Sequence, residues 1–345
     1  MSRMRKLGAI VALGAALVLG AACTHSDTPV NEPQLPPEPG AGSDGSAAGS
    51  ASAGSGSAVE AAKPPMPPAP PAKVAHDAKI SASEAKVKLV SAGTGKKQKL
   101  AIVGAVGAKT PVDITIGVGV KQGPQDQTLP AIVLHGDAEV STADKTQAAY
   151  RIAVSGVEAK DIAGESRPPN FDKTVANLIG LAISGTVNAN GSIGDVALHH
   201  DAVDPTGIEL IEEVVVPGYL PMWPVLPAEA VGAGAKWQVT ATRLLREKLA
   251  FEVTTDYELV SVSAKGFEVK GTVSLAGKEQ DVDGAKVGQI GGGGAFTCKI
   301  DNGMFGVTHA ELKIDFTATV PTGPNGQTQS VPFEFRFSTD SAPRQ

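Results

Sequence analysis

Aromatic residues make up only 4% of the 345 positions, so few flat side chains are present to stack on sugars or bases. There are two cysteines, Cys23 and Cys298, which excludes a disulfide-stapled scaffold. Positive charge is not in excess: the formal net charge is −6 and no basic patch with interleaved aromatics occurs. Both facts argue against a nucleic-acid partner. The apolar run Leu7 to Leu19 falls short of the roughly 20 residues a spanning helix needs. No 20–50-residue period of a repeat protein is present.

Catalytic patterns are missing too. No serine of the folded part sits in a nucleophile-elbow context, and no carboxylate pair stands out. Gly291-Gly292-Gly293-Gly294 precedes a strand-like Phe296-Thr297-Cys298-Lys299-Ile300, not the Lys-Ser/Thr and helix of a phosphate cradle. It reads as a flexible loop or bulge. Cys298 is in register with Phe296 and Ile300 and reads as a small core residue. Of the histidines, His25 and His76 lie in or beside a linker, and His135 and His309 fall on polar strand faces. His199-His200-Asp201 is the one local cluster of metal-ligand types, but neighbours on a strand point to opposite faces. It reads as a solvated strand end. No catalytic residue, metal or cofactor is expected.

What is present begins at the N-terminus. Arg3, Arg5 and Lys6 precede the apolar run, and Gly20-Ala21-Ala22 lead into Cys23. That order reads as an export signal over 1–22. It is similar to bacterial lipoprotein signals, in which a small residue precedes a lipid-modified cysteine. It departs from them at Gly20, where Leu is usual, Leu19 lying one place further back. The resemblance implies acylation of Cys23, and hence a membrane as partner through the N-terminal lipid. Several acyl chains hold well because each buried CH₂ contributes roughly 0.8 kcal/mol. Thr24 after the cysteine lacks the Asp-type inner-membrane retention signal of some enteric bacteria, which implies the outer membrane.

Residues 23–79 then form a polar tether rich in Pro, Gly, Ala and Ser, including Pro64-Pro65-Met66-Pro67-Pro68. With so little apolar surface it is expected to be disordered. Residues 80–345 are expected to form a single β-rich domain.

Period-two alternation dominates that domain. Leu249, Phe251, Val253, Tyr257 and Leu259 alternate with polar or small residues, as do Leu312, Ile314, Phe316, Ala318 and Val320. Val331, Phe333, Phe335 and Phe337 close the chain against Glu334 and Arg336. One packed face and one wet face mark antiparallel sheet. Asn190-Gly191 and Asp301-Asn302-Gly303 read as hairpin turns. Asp204-Pro205 reads as an N-cap with Pro at the first helical position. Ile208, Leu210, Ile211, Val214 and Val215 then share one face up to Pro217-Gly218. A second short helix is expected near Phe171 to Leu178. The class is mainly β (α+β): a large curved antiparallel sheet or half-barrel of some twelve strands, with two or three short helices packed on it.

The segment Leu226-Pro227-Ala228-Glu229-Ala230-Val231-Gly232-Ala233-Gly234-Ala235-Lys236-Trp237 is more specific. It resembles a passage in a family of β-rich bacterial envelope proteins and lipoproteins, of Leu-Pro-x-x-Pro-Val-x-x-Gly-Asp-x-Trp type. Ala230 and Ala235 stand where that family often has Pro and Asp. The resemblance implies fold and compartment only and carries over no catalytic residue. By looser analogy of fold, a curved half-barrel is similar to carriers of the LolA/LolB kind. The reading is therefore a non-enzymatic, lipid-anchored envelope protein that binds a hydrophobic ligand or lipid. Ile208, Leu210, Ile211, Val214 and Val215 are the expected ligand-lining residues. The alternative is an envelope scaffold or protein-interaction module without a small-molecule ligand, and a hydrolase is a remote third.

Overall fold

The computed structural model describes residues 72–344, apart from 163–166, 220–221, 246–247, 283–284, 302 and 322–326. The export signal, Cys23, the tether up to residue 71 and Asn302 lie outside the described residues. Eighteen strands are found among those described, more than the alternation alone implies. Sixteen form one antiparallel sheet, with thirteen of them in a single path. From one edge the path runs β1 (Val74–Ile80), β9 (Val196–Val203), β8 (Ala182–Asn188), β7 (Gln147–Lys160), β6 (Ala131–Ala143) and β4 (Lys109–Gln122). It continues through β18 (Thr328–Pro343), β17 (Val307–Pro321), β16 (Gly291–Asp301), β13 (Gly266–Ala276), β12 (Leu249–Val262) and β11 (Lys236–Leu245) to β2 (Ala85–Ser91). The short strands β5 (Gln125–Thr128), β14 (Gln280–Val282) and β15 (Ala285–Val287) pair off this path. A separate two-stranded sheet joins β3 (Thr94–Gln98) to β10 (Val231–Ala233).

The connectivity dictates the curvature. The two edge strands, β1 and β2, are consecutive in the chain. Laid flat, the thirteen-strand path would be about 58 Å wide at about 4.8 Å per strand. Yet Ile80 and Ala85 are joined by five peptide steps, a reach of at most about 18 Å. The sheet must therefore wrap until its two edges nearly meet. They do not pair with each other, so the wrapped sheet keeps an open seam between β1 and β2.

Alternation decides which face turns inward. On β4, Val112, Ile114, Ile116, Val118 and Val120 are buried, and on β18 so are Phe333, Phe335 and Phe337. These three rings stack along the strand at 6.4 and 6.3 Å, with Phe316 of β17 stacked on the first two at 5.4 and 5.7 Å. One apolar cluster runs through both halves of the sheet.

Both helices form where the sequence places them, the second behind its expected cap. Asp204 Oδ1 accepts the Gly207 amide at 2.8 Å, opening α2 (Pro205–Leu210); α1 is Phe171–Val175, extended by a 3₁₀ turn at Ala176–Leu178. After α2 the chain widens into a π-helical stretch, Ile211–Val215, before a last turn at Val216–Gly218. Pro217 lacks an amide, and its ring would collide with the carbonyl four residues back. A wider turn ahead of it relieves that conflict.

Two expectations need correction. The folded unit begins before residue 80, because Val74–Ile80 is strand β1, paired from Val74↔Val203 to Ile80↔Val196. Its polar and exposed composition imitates linker; backbone pairing along one edge holds it. The glycine run is strand, not loop: Gly291 to Gly294 pair with β17 from Asp315 to Leu312. A Cβ at Gly294 would lie 1.8 Å from the Glu311 carbonyl oxygen, and Gly292 has φ +134°. Only glycine permits that approach, as expected where a sheet is bent tightly.

Candidate functional site

The interior of the wrapped sheet is occupied by the protein's own chain. One face of helix α2, the π turn and the described residues that follow, 216–219 and 222–226, pack into it, tied to strands around the wall. Thr308 Oγ1 of β17 donates to the Met222 carbonyl at 2.9 Å, and Thr339 Oγ1 of β18 donates to the Gly218 carbonyl. Trp237 Nε1 of β11 donates to Val225 O at 2.7 Å. Trp223 Nε1, on the plug itself, donates to Met304 O at 2.8 Å, and the Leu226 amide donates to Asn190 O at 2.7 Å. These contacts explain why threonines occupy inward positions of apolar strands: a plug brings backbone carbonyls that need donors. Trp223 also sits edge-on to Tyr150, centroids 5.1 Å apart. Burial pushes the Tyr150 phenol up to about 12, and its hydroxyl has no well-directed hydrogen bond.

The expected ligand-lining residues belong to this plug. Val215 is 0% exposed, Ile211 1%, Val214 3% and Leu210 7%, and Ile208 packs against the same core. A side chain facing a cavity large enough for water would show accessible surface, so Val215 and Ile211 line none. Leu210, Ile211, Val214 and Val215 are packed into the core, and Ile208 is partly buried against it. A cleft of about 720 Å³ lies elsewhere, where Asp315, Glu334 and Lys121 meet Leu275, Ile290 and Phe333. Two of its charges are already engaged, with Lys313 Nζ 2.8 Å from Glu334 and 3.4 Å from Asp315.

The outward face is a lattice of charge. Glu258 lies between Lys236 at 3.8 Å and Lys270 at 3.4 Å, and His135 Nδ1 meets Asp113 at 2.8 Å. His309 lies between Asp340 at 2.6 Å and Glu311 at 3.1 Å, and the bond to Asp340 above all raises its pKa. His199 is held the same way by Asp77 and Asp201, Asp77 being the larger cause of its raised pKa. His200 faces inward and is buried, its Nε2–H bonded to Ile179 O at 2.9 Å and its Nδ1 accepting the Ala202 amide at 3.2 Å. The adjacent histidines thus point to opposite faces. Apolar inside and charged outside is the reverse of a membrane-spanning barrel, which carries an apolar band outside. Cys298 is buried near Thr308 and Met222, and burial pushes its thiol up to about 11.

The seam is where inner-face side chains remain uncovered. On its β1 side, Ala78 and Ile80 are only partly buried. On its β2 side, Ala85 and Leu89 are partly buried and Val87 is 37% exposed. Register places Val87 opposite Val239, and Ala85 opposite Ala241, on the inner face of β11. Two residues further along that same face comes Arg243, opposite Phe251. No carboxylate pairs with Arg243 among the described residues. Burial pulls its pKa down, and the phenol of nearby Tyr257 is itself raised by burial and stays uncharged. The sequence carried a signal for this position: Trp237, Val239 and Ala241 alternate inward, and the next inward place holds a cation.

Comparisons add little to this geometry. No family model matches the chain, and no curated protein matches it. Among solved structures, an outer membrane channel of Pseudomonas putida F1 is similar over 69% of this chain and 96% of that chain. The identity is 11% and the TM-score 0.14, too slight a likeness to carry an argument.

Proposed function

We propose that this protein is a non-enzymatic, lipid-anchored component of the bacterial cell envelope, held at the outer membrane through Cys23. Its tethered β domain takes a hydrophobic ligand at the seam rather than in the interior. The observation that carries the reading is the contrast between a filled interior and a seam whose inner-face apolar residues stay uncovered. The charged outer face supports a domain that stands in water beside a membrane. Cys298, buried beside Thr308 and Met222, is not presented as a nucleophile. Two experiments test the two halves. Metabolic labelling with palmitate should mark the wild type and not Cys23→Ser, with recovery in the outer-membrane fraction; equal labelling of both would sink the anchor. Organic extraction of protein purified without added lipid should release an acyl-chain compound, and an empty extract from protein that also takes up no acyl probe would sink the ligand. A second reading, a protein-interaction scaffold, is favoured by the unpaired edges of β1 and β2, which could accept a partner strand. Lys79, Lys86 and Lys88, exposed on those strands, weigh against it, since such charges guard edges from pairing.

A further inference from the structure

We infer that the seam binds a single-chain amphiphile with an anionic head, the acyl chain lying along Ile80, Val87 and Leu89 and the head group on Arg243. The inference rests on the seam reading above and adds the chemical class of the ligand. An inward-facing guanidinium, half-buried and with no carboxylate partner among the described residues, is a cost to the folded protein. A carboxylate or phosphate supplies the missing partner through a bidentate fork, which Arg offers better than Lys. Length agrees. From the level of Leu89, opposite Trp237, to Arg243 is six residues of β11, about 20 Å of strand. One leaflet of a bilayer core is about 15 Å deep, so a membrane-type acyl chain with its head group spans that distance. The apolar lips and the cation are also in the right order, since Ala85 lies opposite Ala241 and Arg243 follows just past the end of β2.

The test uses the full chain carrying Cys23→Ser, which removes its own acyl groups and the need for detergent. A dansyl-labelled fatty acid is titrated by fluorescence; lysophosphatidic acid, a neutral monoacylglycerol of equal chain length and inorganic phosphate serve as competitors. The wild type should bind the fatty acid, and displacement by lysophosphatidic acid should be much stronger than by the monoacylglycerol. Relative strength of the carboxylate and phosphate heads then identifies the source. Arg243→Met should weaken both anionic amphiphiles by about ten- to a hundred-fold and leave the monoacylglycerol unchanged. Its melting temperature should hold or rise, because a half-buried cation has been removed; a purely structural arginine would lower it. Val87→Asn, at an exposed edge, should weaken all chain-bearing probes alike. The inference is overturned if the wild type binds no probe, if Arg243→Met leaves the anionic probes unaffected, or if inorganic phosphate displaces the fatty acid by itself. Palmitate labelling at Cys23 is independent of every arm, so failure here and failure of the anchor are told apart.

Discussion

Thr308→Val should show whether the plug is a structural member of the domain. The exchange keeps shape and removes one hydroxyl, which donates to Met222 O at 2.9 Å inside the core. The carbonyl left behind retains only the Cys298 thiol, 3.8 Å away, a weak donor at a long distance. Leaving a buried carbonyl unpaired costs about 1–3 kcal/mol. In a domain of this size each kcal/mol lowers the melting temperature by about 2–4 °C, so a fall of roughly 2–12 °C is expected. The assay is built into the chain. Both of its tryptophans touch the plug, Trp223 from within it and Trp237 through the bond to Val225 O. Intrinsic fluorescence therefore follows plug seating, while far-ultraviolet circular dichroism follows the strands. The two signals should change together in urea, in wild type and variant, with the variant's midpoint lower. Thr272→Val, on the exposed face of β13, should stay within about 0.5 kcal/mol of wild type. Emission that shifts to the red well before the dichroism changes would show a plug that leaves on its own. An unchanged midpoint would refute the accounting of the hydrogen bond itself.

Three further outcomes are expected. In the Cys23→Ser protein the Cys298 thiol, buried and pushed up to about 11, should resist Ellman's reagent at pH 8 in the native state and react fully in denaturant; native labelling within minutes would contradict its placement. The His309 imidazole should titrate above 6.5 by NMR, and its ion pairs should stabilise the fold below about pH 6.5 and lose effect as pH rises through the raised value. The effect should be small because the ring is 40% exposed, and His309→Asn should flatten it. Limited proteolysis should leave a stable fragment starting close to Val74, not Ile80, because β1 is paired to β9; a fragment starting beyond Ala85 would show that β1 is dispensable.

Much of the sheet is legible in the chain because alternation is a local property. Phe333, Phe335 and Phe337, or Val112 to Val120, declare an inner face without any knowledge of their neighbours. The Asp204 cap and the Asn190-Gly191 turn are local for the same reason, and both form, with the Ser192 amide bonded to Asn190 Oδ1 at 3.1 Å. Adjacency is not local. Nothing in Ala85 to Ser91 states that its partner is β11 while the preceding strand pairs with β9, and wrapping follows from that pair of facts alone. The packing partner of the plug is not legible for a related reason. The amphipathic phase of Ile208 to Val215 shows that one face is buried, and is silent on whether ligand or wall lies opposite. Threonines at inward places such as Thr308 and Thr339 were the available sign that backbone comes to meet them. Gly291 to Gly294 read as loop or bulge because glycine is rare in strands, where tight bending is the exception that requires it.

The place at which the tether joins the domain ties anchor to seam. Residues 72–73 lead directly into β1, one lip of the opening. If residues 24–73 behave as their composition predicts, about 50 flexible residues span on the order of 40 Å on average. With Cys23 acylated as proposed, the seam is the part of the domain held nearest the membrane, within reach of amphiphiles leaving or entering the bilayer. β1, like β2, is hydrogen-bonded on one side only, and it is further held by Lys79 to Asp195 at 2.6 Å and by His76 to Glu212 at 3.0 Å. Tension on the tether would act on this strand before any other, because residues 72–73 lead straight into it. Shortening the tether by deleting 41–57 should therefore alter ligand uptake from vesicles but not uptake of free probe from solution. Equal effects on both would place the entry path away from the lip that the tether holds.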